Sequence, residues 1–578
     1  MYLFHVFRSF VPYRNPIGFG ASDFIEVSVT LLLVLCALLW PLVQPYVLKI
    51  STRPRLCMAL IAALPAVLRL ALLPRCPAPL PSGSDDFAFI LLSDTLLHLR
   101  LANPQHPFYR FFETVFVLQQ PTYSSIYPIG QGLALALGSA LLGHPWAGVV
   151  LSISAFCGLC YWMLLGWTTP GWALLGGVLA VIEFGPLSYW MNSYWGGAVS
   201  AIAGCLVFGA LPRWVAAWRK RDAALLGAGA AMQLLVRPFE SVFLVLSVAL
   251  FVVLCARRKH QLNGLVKRLP VIVLAVVPAI ALTFLQNSAV TGSWTTLPYQ
   301  LSRYEYGVPP TFTFQPNPIP HRALTSDQEL DYRAQNEIHG PDTDTPARYF
   351  DRLAYRLRFL RFFLYAPLFI AFLAFLSKLG EMRFAWVLAA VAIFLLGTNF
   401  YPYFYPHYIA CIACLFVLIA VTGIERLDAI TKPTWIRSHA LVQIVVFTCF
   451  VQFLFWYGVH LVPGVEDASA MSQHEAWDFI DYGDPEGRIA IRNQLASLTG
   501  RQLVFVHYGP RHMFNNWIHN AADIDRARVV WARDLGPDEN EKLRNYYRDR
   551  TAWLVEPDSQ PVKLEPYRPA AAQFESVQ

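Results

Sequence analysis

The chain has 578 residues, 56% of them hydrophobic and only 14% charged, well below the roughly 25% charge of an ordinary soluble domain. That balance excludes a conventional soluble enzyme, and apolar runs near the ~20 residues of a spanning helix recur along the sequence. The formal charge of +7 gathers in short clusters between those runs, at Arg219 to Arg221, Arg257 to Lys259 and Lys267 with Arg268. Such clusters mark cytoplasmic loops and give no support to nucleic-acid binding.

The first 15 residues carry Arg8 and Arg14 among aromatic side chains and no small-residue cleavage site, so they read as a retained interfacial lead-in. Spans follow at 22–47 and 56–75, then a polar stretch from Pro77 to Ser125. Apolar segments at 126–142, 146–167 and 171–184 run into an aromatic, glycine-rich hinge ending at Gly197, and further spans lie at 198–217, 223–236, 240–256 and 269–287. A second polar section, 288–356, is rich in proline and reads as irregular chain or a lid over a lipid groove. Spans resume at 358–377, 383–398, 404–423 and 438–460. Cys157 with Cys160 and Cys411 with Cys414 have CxxC spacing, but inside apolar runs they read as small buried side chains.

Basic residues orient the second half consistently. With Arg257 to Arg268 inside, 288–356 is outside, Lys378 and Arg383 inside, Tyr401 to Tyr408 outside, Arg426 to Arg437 inside and the tail outside. In the first half, placing Lys49 to Arg55 inside puts Pro77 to Ser125 outside, but counting every apolar segment up to Arg219 gives the wrong parity. One segment between 126 and 217 is therefore re-entrant, too short to cross or wrongly divided.

From about residue 466 the periodicity changes. Helices at 489–498 and 541–548 alternate with strands at 502–507, 528–532 and 551–555, the pattern of a small parallel α/β unit. The expected division is a transmembrane domain over 1–465, with external loops 77–125 and 288–356, and a soluble domain over 466–578. In the tail, His507, His512, His519, Asp523 and Asp525 match no strong zinc spacing. Tyr508, Asn515, Asn516, Trp517 and Asn520 offer aromatic and amide groups suited to a sugar.

The most informative short motif is Ser84-Asp85-Asp86-Phe87, ahead of a helix-like stretch. Two adjacent carboxylates at a membrane surface could hold a divalent cation, or one could activate a hydroxyl that the other orients. Ser84 or Asp85 could equally cap the helix. Arg237 and Glu240 flank a break between two apolar segments, where an ionisable group is costly unless paired or functional. Asn192 and Tyr194 of the hinge, Arg303 of the second loop and His407 of the Tyr401 to Tyr408 run complete the polar candidates. Each has a structural alternative in an ion pair, a headgroup contact or an aromatic belt.

With Asp85 and Asp86 followed by Tyr127, Pro128, Gly130 and Gly132 before the next span, the sequence resembles the GT-C polytopic membrane glycosyltransferases. The likeness covers about residues 22–460 and points to the superfamily of protein mannosyltransferases and aminoarabinose transferases. Members commonly place the acidic pair after their first span, whereas here a further helix precedes it. The resemblance implies a mainly α, GT-C-type transmembrane domain with a small extracytoplasmic α/β domain, in the cell inner membrane. It further implies an inverting transfer of a sugar from a polyprenyl-phosphate donor to a glycan, lipid or protein hydroxyl. Asp85 would act as base beside Asp86, with Tyr127, Asn192, Tyr194, Arg237, Glu240, Arg303 and His407 around the substrates. A lipid or glycan transporter, or a non-catalytic envelope assembly protein, is the alternative.

Overall fold

The computed structural model describes residues 21–259, 262–340, 344–431, 440–461 and 487–568. Arg8, Arg14, Arg437 and the expected boundary at 465/466 lie outside the described residues, as do the side chains of Arg257 to Lys259.

Apolar runs become helices because backbone groups at hydrocarbon depth must pair within their own segment. Among the described residues seven helices are long and apolar enough to cross a membrane, and four shorter apolar helices accompany them. In chain order the first are α1 (Ala21–Ser51) and α2 (Pro54–Ala71), then α3 (Ser84–Leu97) in the first loop. After them come α4 (Ile129–Leu142), α5 (Pro145–Leu164), α6 (Pro170–Phe184), α7 (Ala198–Ala217), α8 (Lys220–Val236), α9 (Glu240–Lys259) and α10 (Leu262–Thr291). The second loop forms α11 (Pro298–Tyr306), α12 (Ser326–His339) and α13 (Pro346–Leu357). The bundle closes with α14 (Leu368–Leu376), α15 (Met382–Thr398), α16 (Ala413–Thr431) and α17 (Ala440–Val459). None of the ten cysteines forms a disulfide.

The second loop is more regular than expected. Pro298 and Pro346 start helices, where a missing N–H costs nothing, and irregular chain with Pro309, Pro310, Pro318 and Pro320 separates α11 from α12.

Segment 126–142, one of the apolar segments behind the parity conflict, packs at one end of the bundle. Gln131 in the first turn of α4 donates from Nε2 to the Tyr194 carbonyl at 3.0 Å. Trp146, just past its other end, donates from Nε1 to the Met191 carbonyl at 2.7 Å. Both acceptors belong to the hinge after α6, so both ends of α4 sit at one end of the bundle. Leu133, Leu137, Leu141 and Leu142 form an exposed apolar stripe along α4, suited to lying in a lipid interface. A segment that lies there without crossing would restore the parity. The basic clusters meet at the other end of the bundle, where Arg268 Nε bonds the Trp218 carbonyl at 2.9 Å and Arg426 Nε bonds Ser377 Oγ at 3.0 Å.

The C-terminal unit holds α18 (Arg488–Ser497) and α19 (Pro537–Tyr546) around strands β4 (Arg501–Val506), β5 (Val529–Arg533), β6 (Arg550–Glu556) and β7 (Lys563–Pro566). The strand order is β5-β4-β6-β7, with β4 parallel to both β5 and β6, and β7 antiparallel at the edge. One face of the sheet buries Leu495, Trp517 and Ile518. The other buries Phe111 and Phe112 of the first loop together with Leu543. Loop and tail therefore share a core. Three short strands, β1 (Asn103–Pro104), β2 (Val117–Leu118) and β3 (Thr122–Ser125), stiffen that loop.

Helix α12 also grips the C-terminal unit. Asp327 pairs with Arg533, both buried, and Asp331 Oδ1 accepts from the Phe514 amide at 2.8 Å. Burial pushes the Asp331 carboxyl up to about 6, against the opposing pull of that amide. A carboxyl raised in the folded state stabilises the fold at acidic pH and loses that contribution as pH rises through the raised value. Asp331→Asn keeps an acceptor oxygen without the charge, so it should raise stability by about 2 kcal/mol near pH 8. The gain should narrow below about pH 6; thermal melting at several pH values checks this, and a pH-independent difference would rule it out.

Candidate active site

Gly83 is the N-cap of α3 in extended conformation, and no side chain caps the helix. Neither Ser84 nor Asp85 plays the capping role open to them from sequence. Ser84 Oγ donates instead to the Phe514 carbonyl at 2.9 Å, joining the helix start to the C-terminal unit. Asp85 and Asp86 both occupy the first turn, where the positive end of the helix favours a carboxylate.

Their environments differ. Asp85 Oδ1 accepts a hydrogen bond from the Tyr127 hydroxyl. Tyr127 is held by stacking on Phe89, ring centroids 4.2 Å apart, and by Gln286 Nε2 on its carbonyl at 2.9 Å. Withdrawal from water raises the Asp85 carboxyl above the usual range, while the Tyr127 hydroxyl and the Arg237 charge pull it back. Burial and the neighbouring Asp85 charge raise the Tyr127 phenol, so it serves as a neutral donor.

Asp86 is buried, and its oxygens accept from backbone amides: Oδ1 from Tyr194 at 2.8 Å and Oδ2 from Ser82 at 3.2 Å. Burial pushes it up to about 7, partly offset by those amides. Asp86 thus ties the start of α3 to the hinge.

That division bears on the divalent cation. Each Asp86 oxygen accepts an amide hydrogen bond, and Asp85 Oδ1 accepts from Tyr127. Among the described residues no group of three His, Cys, Asp or Glu side chains is placed to hold a metal. The tail histidines are separated likewise: His507 bonds Asp534 at 2.8 Å, His512 bonds Asp558 at 3.0 Å, and His519 stacks on Phe87.

Arg237 ends α8 and lies over the Tyr408 ring at 4.7 Å, with Glu240 3.9 Å away. It interacts electrostatically with Asp85, as do Tyr299, Tyr405 and Tyr408. Arg303 lies 5.4 Å from the Tyr299 ring centroid and bonds Thr311 Oγ1 at 3.2 Å, while its Nε is buried without a partner. Five segments distant in sequence thus bring two carboxylates, two guanidinium groups and several phenols together. Of these, Tyr299 and Tyr408 escape sequence reasoning, because nothing local separates them from their aromatic neighbours.

Other candidates are committed to the fold. Asn192 Oδ1 accepts from Arg69 Nε at 2.8 Å, and its Nδ2 donates to the Pro186 and Ser188 carbonyls, both at 2.9 Å. The Tyr194 hydroxyl donates to the Pro79 carbonyl at 2.9 Å. His407 Nδ1 lies 3.1 Å from the Tyr189 hydroxyl, which also accepts from the His407 amide at 3.0 Å. These three hold the frame of the site. Arg69, fully buried, adds bonds to the Cys76 and Pro77 carbonyls, both at 2.9 Å, and stacks 4.8 Å over Trp146. Its signal in the sequence is a cation inside an apolar run.

No protein-family model matches this chain, and no curated protein does. Among solved structures it is similar to the apo state of ArnT from Cupriavidus metallidurans, at 12% identity and TM-score 0.46 over 86% of this chain and 92% of that one. It is similar, over the same shares, to ArnT from that organism bound to undecaprenyl phosphate, at 13% identity and TM-score 0.45. A third likeness is to the apo oligosaccharyltransferase of Archaeoglobus fulgidus, at 10% identity and TM-score 0.41 over 87% of this chain and 69% of that one.

Proposed function

We propose that this protein transfers a glycosyl group from a polyprenyl-phosphate-linked sugar to an acceptor hydroxyl at the outer face of the inner membrane. The carrying observation is that Asp85, bonded to Tyr127, lies within electrostatic reach of Arg237 at the end of the bundle opposite the basic clusters. Read as cytoplasmic loops, those clusters support an outer-face location for the site and the C-terminal unit.

In the proposed step the acceptor oxygen attacks the anomeric carbon while Asp85 takes the hydroxyl proton. The bond from that carbon to the phosphate oxygen breaks, its electron pair leaves with the polyprenyl phosphate, and the centre inverts. A carboxyl raised above its usual range is a better base near neutral pH than an ordinary one. Arg237, Arg303 and the surrounding phenols meet the charge developing on the phosphate, and groups preorganised for that purpose need no rearrangement during reaction. Glu240 orients Arg237, and Asp86, Asn192, Tyr194 and His407 act as positioning residues.

Purified protein incubated with a panel of polyprenyl-phosphate sugars and membrane-derived acceptors tests this reading, with glycosylated product detected by mass. Absence of transfer with every donor would refute it. Arg237→Gln should lower kcat by about 10²-fold, with partial recovery in Arg237→Lys. An unchanged kcat in Arg237→Gln would remove Arg237 from the phosphate.

A further inference from the structure

The C-terminal unit contains a cleft that the proposed transfer step does not use. Its volume is about 590 Å³, within the ~300–1,000 Å³ typical of small-molecule sites. It opens beyond the carboxyl ends of the adjacent parallel strands β4 and β6, the edge where open α/β sheets gather their ligands. One wall is the loop after β4, with Arg511, Met513, Asn515 and Trp517, and the other is the turn after β6, with Asp558 and Gln560.

The walls are joined. Asp558 Oδ2 accepts from the Gly509 amide at 2.8 Å, and its Oδ1 meets His512 Nδ1 at 3.0 Å. Asp558 is thereby engaged, whereas the exposed Arg511 has no hydrogen-bond or ion-pair partner among the described residues. The side-chain amides of Asn515 and Gln560 are likewise without partners among the described residues. A free guanidinium, two free amides and an exposed thioether suit a polyhydroxylated ligand carrying an acidic group. Amides bond hydroxyls through both donor and acceptor atoms, and a guanidinium fits a carboxylate or phosphate as a fork.

The cleft is also tied to Asp85. Phe514, between Met513 and Asn515, accepts from Ser84 Oγ at 2.9 Å, while its amide donates to Asp331 at 2.8 Å. Its backbone is left-handed, with φ 63°, a conformation a bulky residue keeps only where its surroundings enforce it. The loop that walls the cleft is thus pinned to the residue preceding Asp85.

We infer that this cleft docks the acceptor, a saccharide bearing a carboxylate or phosphate, and presents its hydroxyl toward Asp85. The inference rests on the transferase reading above. Its test omits any lipid donor, so that binding is read without turnover and stands or falls apart from the transfer assay.

Full-length protein in detergent is titrated by calorimetry with trigalacturonic acid, glucose 6-phosphate, neutral maltotriose and inorganic phosphate. At least one acidic saccharide should bind saturably and more tightly than both maltotriose and inorganic phosphate. Arg511→Ala should weaken it about tenfold or more, and Asn515→Ala less, with neither changing the melting temperature. Binding of inorganic phosphate as tightly as the acidic sugars would reduce the cleft to an anion site and overturn the inference. So would preference for maltotriose, failure of both acidic sugars to bind, or binding indifferent to both substitutions.

Discussion

Asp85→Asn is expected to reduce glycosyl transfer by about 10²–10⁴-fold, the usual contribution of a general base. The amide keeps an oxygen to accept from Tyr127, so the variant should express, fold and melt like the parent. The pH profile separates a lost base from a disturbed fold. A raised carboxyl is protonated, and unable to take a proton, below its pKa, so transfer by the parent should fall as pH drops through a value above the usual carboxylate range. That limb should vanish from the residual activity of Asp85→Asn. In Tyr127→Phe, which removes the hydroxyl holding the carboxyl down, it should move to higher pH. Full transfer by Asp85→Asn, or a limb that persists unchanged in it, would show that another group takes the proton.

The two acidic residues show what a sequence can and cannot express about such a site. Adjacent in the chain, they read as a pair sharing a metal or a proton. In a helix, however, successive side chains point about 100° apart. Asp85 turns to Tyr127, while Asp86 turns to the amides of Ser82 and Tyr194. Their place in a polar loop at the start of a helix is legible in the sequence, but their division of labour depends on the hinge, whose contact with α3 spans more than a hundred residues.

The same holds for the fold. Long apolar periodicity identified most helices, since length and hydropathy suffice when lipid leaves the backbone no other way to pair. Segment 126–142 carries the same local signal as a short span, and what keeps it at one end of the bundle is the attachment of Gln131 and Trp146 to the hinge. In the tail, the three parallel strands stand out as apolar runs. Strand β7 (Lys563–Pro566) does not, because a short edge strand with alternating charge needs β6 beside it to be a strand at all. Asn192 looked like a sugar ligand because its partner Arg69 lies far away in sequence.

Arg69→Met is expected to have the largest effect on stability among the substitutions considered, a loss of about 3 kcal/mol or more. Methionine can fill the space of the aliphatic stem, but the Asn192 Oδ1 and the Cys76 and Pro77 carbonyls lose their donors. Each buried acceptor left unpaired costs about 1–3 kcal/mol, and relief from burying a charge offsets part of the sum. Transfer should fall as well. Arg69 fixes the hinge through Asn192, the hinge supplies the Tyr194 amide to Asp86, and Asp86 anchors the turn that aims Asp85. Asn192→Ala breaks the same chain one link later and should lower kcat in the same direction, with donor KM changed less than by Arg237→Gln. Melting curves and steady-state rates on the two variants check this. If Arg69→Met melted with the parent, or if either variant kept full kcat, Arg69 would not be what holds the hinge against the catalytic helix.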